Sequence, residues 1–148
     1  MPRSTRPPHS MLGSADDIER QFYEALQGGD IERLMAVWSD DDEIVCVHPG
    51  GPRLVGAAAI RASFESIFAN GAIPAQPEKV RRVLSLSSAV HNVLEQVQVM
   101  GADGPQAAWV IATNVYLKGE RGWRLVCHHA SPGTPRDVQE LVESVSVH

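Results

Sequence analysis

Residues 22–68 read FYEALQGGDIERLMAVWSDDDEIVCVHPGGPRLVGAAAIRASFESIF, a stretch whose apolar spacing passes from helical to strand-like and back. Just upstream, Ser14 with Asp17 three residues on resembles a capping box. Ile18, Phe22, Ala25 and Leu26 then recur at helical spacing until Gly28-Gly29, which predicts a first helix. Asp30 is placed as the next N-cap, and Ile31, Leu34, Met35 and Trp38 form one stripe of a shorter helix that runs into the acidic turn Ser39–Asp42. Three adjacent carboxylates cannot all point at one ion, so that turn is expected to be a solvated one. Residues 43–48 then read as a strand, Pro49 to Pro52 as a turn and Arg53 to Val55 as a short return strand, together a hairpin. After Gly56, the spacing of Ile60, Phe64, Ile67 and Phe68 predicts a third helix ending at Gly71.

Beyond Pro74 and Pro77 the period shortens toward two. Residues 79–90, 91–101, 106–118 and 122–131 are rich in Val, Leu, Ile, Trp, Tyr and Thr, with turn signals at Gly101–Gly104 and Gly119–Gly122, so an antiparallel meander is expected. The join near Ser88–Asn92 lacks Gly or Pro. Thr134-Pro135 opens a last helix carrying Val138, Leu141, Val142 and Val145. Helices, a hairpin, a helix and a long meander make an α+β domain in which a curved, mostly antiparallel sheet wraps around N-terminal helices. Both parities of the later strands are apolar: Trp109, Ile111, Val115 and Leu117 on one, Val110, Ala112 and Tyr116 on the other. The outer face therefore needs a cover, and a second copy is the simplest, giving a homodimer; a monomer or a C-terminal helix over that face are the alternatives.

At 148 residues one domain, 14–148, is expected, with the Pro-, Ser- and Arg-rich residues 1–13 as a mobile tail in which Met11 is an alternative start. Formal charge is −5, and the 13 basic residues are scattered, which argues against a nucleic-acid partner. No apolar run is long enough to span a bilayer and no secretory signal opens the chain, so a cytoplasmic protein with no membrane contact is expected. Two cysteines fit a reducing compartment better than a disulfide framework.

The 22–68 block resembles the first half of the nuclear transport factor 2-like superfamily, which includes ketosteroid isomerases, SnoaL-like cyclases and scytalone dehydratase. The block GWRLVCHHAS, residues 122–131, is similar to the closing strand of SnoaL-like domains and of kinase association domains. The resemblance covers about residues 15–132. It implies a cone-shaped, cystatin-like roll with a mostly apolar pocket at its open end, lined at the positions of Phe22, Trp38, His48, Phe64 and Thr113. Ketosteroid isomerases carry their proton-shuttling Asp just before a Pro at the end of the first strand, and His48 stands there before Pro49. Their oxyanion-stabilising Tyr and protonated Asp align with Phe22 and Thr113, neither of which can supply that pair of donors, so steroid isomerisation is not expected.

His48 is the leading candidate acid or base, since imidazole titrates near neutrality; a backbone-bonded histidine at a turn is the rival reading. His128 and His129 project to opposite faces; parity with Trp123, Leu125 and Cys127, and the His-x-Ser ending that the resemblance implies, favour His129 with Ser131 for the cavity, the rival reading being one histidine at the dimer surface and the other solvated. Glu95 is an odd carboxylate on an apolar parity, either a partner for a pocket histidine or an exposed group paired with Arg81 or Arg82. Trp38, Trp109 and Trp123 line a ligand or, as is commoner for large aromatics at such spacing, fill core. Cys46-x-His48 and Cys127-x-His129 hold the donor types of a zinc site if the first and last strands are neighbours, although two separate buried thiols are the simpler state. The expectation is a binder of a small, largely apolar organic molecule. It works without cofactor or metal, either as an isomerase, cyclase or dehydratase using His48 and His129, or as a non-catalytic binding or dimerisation module.

Overall fold

The structure, a computed structural model, describes residues 13–135 and 140–143. Helix α1 is Ala15–Gly28: Ser14 caps it by accepting from the Asp17 amide, and Gly29 closes it at φ 63°, a conformation other residues adopt at a cost. Helix α2 is Ile31–Ala36, capped by the Asp30 side chain on the Arg33 amide. It ends before Trp38, because the chain there already pairs with the last strand. Leu125 bonds Val37 and Ser39, and Trp38 forms a parallel bridge to Leu125. Strands β1, Val45–Val47, and β2, Arg53–Val55, make the expected hairpin, and α3, Ala57–Phe68, follows.

The meander consists of β3, Ala75–Leu84; β4, Ser88–Gly101; β5, Gly104–Gly119; and β6, Gly122–Pro132. The first join lies earlier than the sequence suggests, at Ser85–Ser87. Serine hydroxyls do there what Gly or Pro does elsewhere: the Ser85 amide bonds the Ser88 carbonyl, and the two side-chain oxygens lie 2.6 Å apart. The sheet order is β2-β1-β6-β5-β4-β3, antiparallel throughout except for the β1–β6 pair, so the whole is a mixed six-stranded sheet with the helices on its inner face.

Register assigns the faces. One row across all six strands reads Leu54, Cys46, His128, Asn114, His91 and Arg82, and the core residues Cys46, His128, Asn114 and His91 within it are buried against the helices. The neighbouring row, Val55, Val45, Cys127, Val115, Val90 and Val83, points to the outer face, where Val83 is 73% exposed. Opposite Tyr116 and Val115, β6 holds one residue too many, Val126, a bulge that reverses parity between Leu125 and Cys127. Leu125 and His128 therefore both face inward, three residues apart. The expected C-terminal helix through Val138 and Val145 falls largely outside the described residues, as do residues 1–12 of the expected tail.

Candidate functional site

Five polar groups gather on the inner face. The Tyr23 hydroxyl donates to Glu95 Oε2 at 2.7 Å and accepts from Asn114 Nδ2 at 3.2 Å, while His128 Nδ1 donates to Asn114 Oδ1 at 2.6 Å. All four residues are 5% exposed or less. A buried amide held by two partners fixes both neighbours at once, since its oxygen and nitrogen are each committed. Beside them, at the end of β1, His48 is half-buried. Its Nε2 lies 2.9 Å from Ser63 Oγ on α3, and its ring meets the Phe64 ring edge-on at 4.9 Å. The His128 ring rests on Phe22, 5.0 Å between centroids.

This setting divides the titratable groups. Burial raises the Glu95 carboxyl to about 7, against the pull of the Tyr23 hydrogen bond and with a push from the Glu19 charge. Glu95 thus holds its proton close to neutrality, as a general acid or hydrogen-bond donor needs. His128 is driven the other way, to about 3, by burial first and then by its histidine neighbours His48 and His129, so its imidazole stays neutral. Burial also lowers His48, leaving it unprotonated and able to accept a proton at neutral pH. Desolvation raises Tyr23 well above its ordinary value, and the nearby Glu95 charge adds to this, so it acts only as phenol.

The sequence-derived candidates come together in part. His48 and Glu95 join the inner face, and Glu95 pairs with Tyr23; Arg81 and Arg82 bond Glu140 and Asp16 instead. Phe22, Trp38 and Phe64 are buried in the apolar core, the two phenylalanines flanking the histidines rather than lining open space. His129 is exposed on the outer face and does not enter the interior; the Val126 bulge hands that place to His128. Thr113 faces outward too, accepting from Asn92 at 3.0 Å, and Asn114 is the inward residue. Trp109 is a half-buried residue on the outward parity. Cys46 and Cys127 lie on opposite faces of neighbouring strands, so the four Cys and His donors do not converge.

Tyr23, Asn114 and His128 are the residues that sequence reasoning missed, each one place from a residue it weighed. For Tyr23 the signal was present: Glu19, Tyr23 and Leu26 make a second buried stripe on α1 beside Ile18, Phe22 and Ala25. None of the inner-face polar residues borders the large open groove of about 1480 Å³ between α2, α3 and the β5–β6 turn. Of the residues singled out above, Trp38 and Cys127 border it, among charges of both signs such as Asp40, Arg53 and Arg124.

Residues 16–135 match the model of the SnoaL-like domain. Among solved structures, a candidate calcium/calmodulin-dependent protein kinase type II association domain from Thiobacillus denitrificans is 34% identical, over 82% of this chain and 96% of that one, with a TM-score of 0.73. A candidate dehydratase of the nuclear transport factor 2-like family from Streptomyces avermitilis is 28% identical, over 84% and 97%, with a TM-score of 0.72. A cystatin-like-fold protein from Caulobacter vibrioides, 16% identical over 81% and 87% with a TM-score of 0.70, shares the fold. Among curated proteins none matches. No described helix is long and apolar enough to cross a membrane. By the match over residues 16–135, the chain belongs to the SnoaL-like domain family.

Proposed function

We propose that the inner face binds a small, largely apolar, uncharged molecule with a carbonyl or hydroxyl group, and that His48 moves a proton on it without a cofactor. One observation carries the reading: Tyr23, Glu95, Asn114 and His128 form a contiguous buried hydrogen-bonded cluster with His48 beside it. A cluster of this kind costs desolvation energy that an apolar core would not, which is the pattern of a site kept for chemistry. Among the described residues the buried polar side chains, tyrosines apart, are Glu19, His91, Glu95, Asn114 and His128, with no Lys or Arg, so a carboxylate or phosphate ligand has no buried counter-charge. Ala112 and Ala130 stand beside His128 on the inner face, both buried.

In this reading His48 donates Nε2–H to Ser63, which leaves the Nδ1 lone pair to take a proton from the carbon next to the carbonyl. The charge that develops on the oxygen is met by the Glu95 proton, while the Tyr23 phenol, donating to Glu95 Oε2, holds that carboxyl in place; the family-aligned Phe22 and Thr113 supply no donor to the inner face. Return of the proton from His48 to another carbon gives isomerisation; its delivery from His48 to a β-hydroxyl, whose C–O bond breaks as the C=C bond forms, releases water and gives dehydration. Neutral carbonyl compounds that raise the melting temperature are the ligands to test, by following deuterium uptake at the α-carbon in D2O. His48→Ala is expected to slow uptake by roughly 10² to 10⁴-fold while binding persists. Uptake unchanged in His48→Ala removes the imidazole from the mechanism.

A second reading is favoured by the outer row Val55, Val45, Cys127, Val115, Val90 and Val83, a stripe on a face that water would otherwise meet, and by the relative described as an association domain. Two copies joined through this stripe bury it. Sedimentation is expected to give a dimer that Val90→Glu converts to monomer; a monomeric parent chain ends this reading and leaves the inner face untouched.

A further inference from the structure

A second polar cluster lies where the N-terminal turn of α1 meets β3 and β4. His91 is fully buried, and its Nδ1 lies 2.9 Å from Glu19 Oε2. A carboxylate only accepts, so Nδ1 carries a proton, and in the tautomer this selects Nε2 holds the ring's lone pair. Nε2 is buried without a hydrogen-bond partner, and Asp16 Oδ1 lies 3.8 Å from it. In that tautomer two acceptors, Nε2 and an Asp16 oxygen that also accepts from Arg82, stand 3.8 Å apart, and one positive group shared between them would satisfy both. A proton is a poor fit, because 3.8 Å is well beyond the ordinary hydrogen-bond range. A metal ion fits better: two ligands about 2.0–2.1 Å from tetrahedral zinc stand roughly 3.3 Å apart, within a small movement of the observed gap.

We propose that His91 Nε2 and Asp16 form a binding site for a divalent transition metal such as zinc, with Glu19 orienting the imidazole and Arg82 as its gate. The ligand atoms of Asp16, Glu19 and His91 all lie within 4.8 Å of one another. Glu19, on the far ring nitrogen, holds the position of the outer carboxylate in a carboxylate–histidine–metal chain and also accepts from Tyr116 at 3.4 Å. Asp16 is 61% exposed on its side chain, free to close the last fraction of an ångström and to admit water to the remaining metal positions. Arg82 Nε bonds Asp16 Oδ1 at 2.8 Å, so the guanidinium competes with the metal for that oxygen. It is an exposed ion pair, 41% and 61%, and therefore weak enough to be displaced.

The gate gives the test its sign. Zinc chloride alone is titrated calorimetrically into the full chain after chelator treatment. Saturable binding of about one equivalent tighter than about 1 mM is expected. Asp16→Asn, an exposed substitution that leaves the core intact, is expected to weaken it at least about tenfold, as is Glu19→Gln, and Arg82→Gln is expected to strengthen it several-fold. Histidine-selective nitrogen NMR is expected to show the Nε2 resonance of His91 move on addition of zinc. No binding below about 1 mM, affinity indifferent to Asp16→Asn, or an Arg82→Gln variant that binds more weakly each overturns the proposal.

Discussion

Measured against the parent chain, Glu95→Gln is expected to gain about 3 kcal/mol of folding stability as pH rises from 4.5 to 7. The carboxyl ordinarily titrates near 4.5, and in the fold burial first raises it to about 7. The folded chain therefore holds the proton more tightly than the unfolded one. The contribution of Glu95 is fully present below pH 4.5 and is lost as pH climbs through 7, at about 1.4 kcal/mol per pH unit between the two. His128 has the opposite slope: with its ring held near 3 instead of 6.5, its contribution is present above 6.5 and is lost as pH falls toward 3. Between about 4.5 and 6.5 the two slopes cancel in the parent chain, and removing the Glu95 titration exposes the rise due to His128. Urea midpoints across this range measure it. A difference profile that stays flat means Glu95 titrates as an exposed carboxylate, against the buried geometry.

Asn114→Ala has the other large effect, a loss of about 3 kcal/mol. Its amide oxygen is the acceptor for His128 Nδ1 and its nitrogen the donor to the Tyr23 hydroxyl. Truncation leaves a fully buried imidazole N–H with no acceptor and a phenol short of one bond, each in the range of about 1–3 kcal/mol. Thr113→Ala next door serves as the control. Its hydroxyl faces outward to Asn92, and the expected loss is below about 0.5 kcal/mol. Equal losses at the two positions would mean that the strand register, and with it the inner-face site, is misassigned.

Most of the architecture was readable because its signals are local. Ser14, Asp30 and Gly29 mark helix ends, the glycine pairs mark two meander turns, and Arg53 to Val55 reads directly as a return strand. The Ser85–Ser88 turn escaped because serine hydroxyls carry no distinctive period. The site was less legible, since it depends on which way single residues point. Counting by twos along β6 sends His129 inward, but one unpaired residue, Val126, inverts the count, and only the pairing with β5 reveals it. On β5 the error is of the same kind: Thr113 and Asn114 are equally polar, and only the register with His128 and His91 decides between them. The cation cluster was hidden for another reason, as Asp16 and Glu19 lie more than seventy residues from His91.

Proton transfer on the inner face, between His48 and the Tyr23–Glu95–Asn114–His128 cluster, is what the proposed function requires. Histidine-ring NMR during titration with a stabilising carbonyl compound tests it directly. The account predicts that the His48 and His128 resonances move together while exposed His129 stays still. Movement of His129 alone, or saturable binding that leaves His48 and His128 unmoved, would contradict it.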